Sequence, residues 1–126
     1  MAHHVSKAKF SNLVEQALAE LPPEFAAALE EMSVEIRDRP TRAQLKSVGL
    51  KSDELLLGLY HGVSRLNRSV EHSGRMPDVI YIFQEDVEQV CNTEQDLVRE
   101  VRTTVLHELG HHFGLDEDDL DKLGYG

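Results

Sequence analysis

The chain has 126 residues, 40% hydrophobic and 29% charged, which predicts one globular domain and excludes a disordered chain. Against 13 Lys and Arg stand 23 Asp and Glu, a formal charge of -10. That balance argues against nucleic acid and against an anionic membrane surface, since both are bound through basic side chains. The longest apolar runs, Phe25–Leu29 and Val79–Phe83, like the shorter Leu55–Leu57, fall far short of the ~20 residues of a membrane span. A single cysteine, Cys91, excludes an internal disulfide framework. It suits a reducing, cytoplasmic compartment, where it reads as a small buried hydrophobe.

Met1–Ser6 is polar, so no secretory leader is expected, and His3 and His4 are given no functional weight. Phe10, Leu13, Val14, Ala17, Leu18 and Leu21 recur at spacings of three and four, predicting an amphipathic helix stopped by Pro22-Pro23. Those prolines suit the first turn of a second helix over Glu24–Met32. Ser33–Arg39 alternates and predicts a strand ending before Pro40; Thr41–Asp53 is polar and reads as a loop. Leu55–Gly62 reads as a second strand, and Ser64–Pro77 as a long loop without periodicity. Val79–Phe83 is β-branched or aromatic throughout and predicts a strand, and Glu85–Val90 a helical turn.

Thr93 with Asp96 three residues on resembles a capping box. Leu97, Val98, Val101, Val105, Leu106 and Leu109 then form the stripe of a long helix running to about Phe113, with Gly114 as its stop. A short helix over Asp118–Leu123 would finish the chain. Helices, then strands, then a long helix predict the α+β class.

On the long helix lies His107-Glu108-Leu109-Gly110-His111, an HExxH sequence. Four residues advance a helix by ~400°, so the two imidazoles stand about 40° apart and one turn separated. Two such groups on one face can hold a single zinc ion. Glu108, ~100° around from His107, need not touch the ion and can take a proton from an activated water. Gly114 lets the chain turn away in a left-handed conformation, from which Glu117, six residues after His111, could swing back as a third ligand. Composition alone would place HExxH in roughly 4% of such chains; requiring Gly114 and an acid at 117 lowers that to about one in two thousand.

The segment HELGHHFGL at His107–Leu115 resembles the small bacterial zincin-like metallopeptidase family, related to the metzincins by HExxHxxGxx(H/D). Gly58-Leu59-Tyr60-His61-Gly62, Arg68-Ser69 and Pro77–Phe83 resemble that family's strand-loop-strand segment, so the likeness runs from about Glu24 to Leu120. It implies a small mixed sheet backing an active-site helix, with zinc held by two histidines and an acid, and a peptide or protein as substrate. Metzincins place His, and this family commonly Asp, where Glu117 stands. Asp116 is the alternative ligand, with Glu117 favoured by motif position. Asp116, Glu117, Asp118 and Asp119 also suit the N-terminal dipole of a last helix, and capping by some leaves ligation by one open. With nine residues after Glu117, the methionine-containing turn and lower subdomain of a full metzincin are not expected.

His112, ~140° around the helix from His107, is expected to pack or face solvent, with a supporting role behind the metal or at an oxyanion as the alternative. His61 reads as a surface residue at a strand end, and Tyr125 as part of a frayed terminus. The leading reading is a zinc-dependent peptide hydrolase with Glu108 as general base. An extended substrate would pair with the edge of Val79–Phe83 or Leu55–Gly62. One alternative is a metal-dependent RNA hydrolase, since a ribosomal-RNA maturation endonuclease family carries a related three-ligand motif. That family lacks Glu after its first His and needs a basic groove. The other alternative is a non-catalytic zinc-binding module that docks a protein partner.

Overall fold

Ser6 sets where the chain first becomes helical. Its Oγ accepts the Lys9 amide at 3.1 Å and starts α1, Lys7–Ala19, ahead of the first apolar residue of the stripe. A computed structural model describes residues 2–62 and 78–115, with 118, 119 and 122. Phe10, Leu13, Val14 and Ala17 of α1 are buried, as their spacing predicts. Pro22 and Pro23 occupy the cap and first position of α2, Pro23–Leu29. Met32, expected to end that helix, instead opens strand β1, Met32–Arg37.

Helix α3, Arg42–Ser47, lies where a loop was expected. Its cause is a reciprocal capping box: Gln44 N–H donates to Thr41 Oγ1 at 3.0 Å, and Thr41 N–H to Gln44 Oε1 at 2.9 Å. Strand β2 is only Gly58–His61, shorter than the predicted Leu55–Gly62. The residues before it are held by side chains. Arg39 grips the buried Asp86 carboxylate through Nε at 2.8 Å and Nη2 at 3.1 Å, and Leu56 N–H donates to the same carboxylate at 2.9 Å. Strand β3, Asp78–Phe83, runs directly into α4, Gln84–Gln89. The predicted loop over Ser64–Pro77 and half of the predicted terminal helix lie outside the described residues.

The sheet order is β1-β3-β2, with β3 parallel to β1 and antiparallel to β2; Ile80 stands beside Val34 on one side and Tyr60 on the other. β3 is therefore central, with both edges paired. This corrects the expectation that Val79–Phe83 might receive a substrate strand; among the described residues, only β2 of those two segments offers an edge. The long helix α5, Glu94–His112, lies against β2 and β3 and packs on α1, while α2 packs on β1. Ile80 and Ile82 meet Leu97, Val101, Val105 and Leu109 of α5 and the apolar stripe of α1 in one core. The architecture is α+β with a three-stranded mixed sheet, as the order of elements predicts. Cys91 is buried in this core, and burial pushes its thiol up to about 11.

The N-terminal residues given no weight in the sequence are tied down. The buried Glu88 carboxylate accepts Val5 N–H at 2.9 Å, Gln84 Nε2 at 3.1 Å and pairs with His4 Nδ1 at 3.1 Å. Burial pushes Glu88 up, but the bonds from Val5, Gln84 and His4 outweigh it and hold the carboxyl below its ordinary value of 4.5. A carboxyl depressed in the folded chain contributes stability above its unfolded pKa and loses it as pH falls through the folded one. Glu88→Gln is thus expected to lower the melting temperature at pH 7 and to flatten its decline below pH 4.5. Thermal melts from pH 7 to pH 3 check this, and parallel acid limbs in the two proteins would refute it.

Candidate metal centre

Helix α5 is defined at both ends by its own residues. Thr93 Oγ1 accepts Asp96 N–H at 3.0 Å, and the Asp96 carboxylate reaches back to Asn92 N–H at 3.1 Å. At the other end Gly114 takes φ 82°; its N–H donates to His111 O and the Leu115 N–H to Gly110 O, both at 2.9 Å. This paired closure needs a left-handed residue after the cap, which glycine adopts without strain. The chain thus turns off directly beyond the histidines, as the motif spacing predicts.

His107 and His111 are half-buried and side by side, with ring centroids 5.0 Å apart. A ligand-capable atom of each, together with one of Glu108, lies within 4.8 Å of the others. Two imidazoles and a carboxylate are donors that zinc accepts, so the residues present fit such an ion. Glu117 and Asp116, the candidate third ligands, lie outside the described residues, as does Tyr125.

Glu108 is buried at 9% exposure, and its Oε1 accepts the Tyr60 N–H of β2 at 2.7 Å. The strand can come this near because residue 58 is glycine. A Cβ there would stand 2.5 Å from Thr104 Cγ2 and 2.9 Å from Tyr81 O, one on α5 and the other backbone of β3. Alternation in an antiparallel pair turns Gly58 and Tyr60 to the same outward edge. That edge faces the histidines.

His112 does pack, and it does so in a polar setting. Its Nδ1 is 3.0 Å from Asp78 Oδ2 and 3.3 Å from the Tyr60 hydroxyl, which itself donates to Asp78 Oδ2 at 2.7 Å. Asp78 and His112 are each 1% exposed. Sequence reasoning gave Tyr60 and Asp78 no role of their own. The available signal was an acid directly ahead of a β-branched strand and a polar-tipped aromatic between glycines. His61 is exposed at the end of β2, as expected.

Two cavities flank His107 and Glu108. One of about 430 Å³ is walled by Val48, Leu50 and Leu59 and reaches His111. The other, of about 280 Å³, runs back along α5 past Thr104. A groove of about 320 Å³ between α1 and the opposite end of α5 contains neither histidine, and its Arg102 and Arg99 are paired with Glu20 and Asp96.

Comparison with known proteins agrees with this geometry. The profile of the zincin-like metallopeptidase family matches residues 29–126. A search of curated proteins finds no match. Among solved structures, a conserved hypothetical protein from Thermus thermophilus is similar, with a TM-score of 0.54 at 24% identity over 94% of this chain and 97% of that one. At that identity the likeness speaks for the fold.

Proposed function

The chain belongs to the zincin-like metallopeptidase family, and from that premise we propose that it is a zinc-dependent peptide hydrolase, folded as one domain over residues 1–126. The observation that carries this reading is the approach of His107, Glu108 and His111 to within 4.8 Å of one another on a helix beside the outer strand β2. His107 and His111 would hold the ion, with Glu117 as the acidic ligand by motif position and Asp116 as its alternative. When bound, zinc supplies Lewis acidity toward carbonyl and water oxygens.

Glu108 would act as the general base. Its Oε1 is already engaged by Tyr60 N–H, an anchor that orients a carboxylate for proton transfer. The carboxylate would take the proton of the attacking water and return it to the leaving amine nitrogen. The outward edge of β2 would align an extended peptide or protein substrate. One buried cysteine in the chain supports a reducing, cytoplasmic setting.

The test is metal analysis of protein purified without added zinc, paired with cleavage of a peptide library. One zinc per chain and cleavage that a chelator removes and zinc restores are the expected results. Stoichiometric zinc with no cleavage would favour the protein-binding module, and cleavage of RNA the nuclease reading.

A further inference from the structure

The cavity of about 280 Å³ contains chemistry that the hydrolytic step does not use. Its helical wall carries Glu100, Thr103, Thr104 and His107, and its opposite wall Leu56 and Gly58. On α5 these helical positions share one stripe, so Glu100 stands two turns from His107, about 10 Å along the axis. Glu100 is half-buried. Three acids on the exposed side of α5 and at the end of α1 have cations beside them: Glu94 has Lys9, Asp96 has Arg99 and Glu20 has Arg102. Among the described residues no Lys or Arg pairs with Glu100.

Resting on the peptidase reading, we propose that Glu100 is a specificity residue, its carboxylate receiving the Lys or Arg side chain of a peptide whose backbone lies at His107 and Glu108. A long cationic side chain from one end and the Glu100 carboxylate from the other together span the two turns. Thr103 and Thr104 border the path between the two ends, Thr104 turning its Cγ2 methyl toward Gly58. The cavity on the other side of the histidines, walled by Val48, Leu50 and Leu59, has no acid besides Glu108 among the described residues and accepts an apolar neighbour. A chain of charge -10 also raises the local concentration of cationic peptides.

The test uses the zinc-loaded Glu108→Gln variant, so that binding is read apart from turnover. Labelled Ala-based hexapeptides with Lys, Arg, Gln or Glu scanned through each position are titrated by fluorescence polarisation. A charge-assisted bond in a half-buried cavity predicts that the best Lys or Arg peptide binds about tenfold or more tighter than its Glu counterpart. Adding Glu100→Gln removes the preference, and Glu100→Lys reverses it. The neutral and the inverted substitution together separate loss of charge from loss of fold. Equal binding of all peptides, binding of none, or a basic preference that survives both substitutions would overturn the assignment. Wild-type cleavage without basic preference would remove this inference and keep the peptidase reading. Binding of basic peptides through Glu100 with no cleavage by the wild type would do the opposite.

Discussion

Glu108→Gln is expected to lower peptide hydrolysis by a factor of about 10²–10⁴, the usual worth of a positioned general base, while zinc content stays unchanged. The two side chains are nearly isosteric, and Gln Oε1 still accepts the Tyr60 N–H that Glu108 accepts at 2.7 Å. What the variant lacks is a basic oxygen for the water's proton. Turnover of a fluorogenic peptide, metal content by mass spectrometry and the melting temperature separate these effects. Hydrolysis retained with zinc in place would remove Glu108 from the mechanism. Glu108→Ala makes a useful contrast, because it also takes away the strand amide's acceptor and should cost stability.

The second large effect is expected at Asp78. Its buried carboxylate joins the Tyr60 hydroxyl at 2.7 Å and His112 Nδ1 at 3.0 Å. Asp78→Ala leaves both groups buried without that acceptor, a loss of about 2–4 kcal/mol. For a chain of this size that corresponds to a fall of roughly 10 °C in melting temperature. Because His112 adjoins His111, zinc affinity should weaken with it. Asp78→Asn keeps an acceptor of the same shape and is expected to lose less on both measures. Melting curves and competitive zinc titration of the two variants check this ordering. Equal melting temperatures for Asp78→Ala and the wild type would show that the network adds nothing.

The elements that could be read from the sequence are those specified by neighbours in the chain. Helix α5 follows from Leu97, Val101, Val105 and Leu109 between Thr93 and Gly114, and the meeting of His107, Glu108 and His111 follows from helical spacing alone. Strand β3 follows from its run of β-branched and aromatic residues. Helix α3 was equally local, with Thr41 and Gln44 in plain capping-box spacing, but its short apolar face hid it. The length of β2 was a different matter. Leu55–Leu57 looks like strand, yet Asp86, 30 positions beyond Leu56, takes the amide of Leu56. The same holds for Tyr60, Asp78 and His112, which come together across 18 and 34 positions. No periodicity encodes such contacts.

The short bond between Tyr60 N–H and Glu108 has a consequence for the resting chain. An edge strand with open amides is a template onto which any extended polypeptide, including a second copy, can add. Here the outward amide nearest the histidines is stoppered by the chain's own carboxylate. A ligand laid along β2 must either halt short of Tyr60 or trade places with Glu108 there. A ligand that halts short leaves Glu108 held for its proton, and the β2 edge, though not that of β1, is guarded at this point against indiscriminate strand addition.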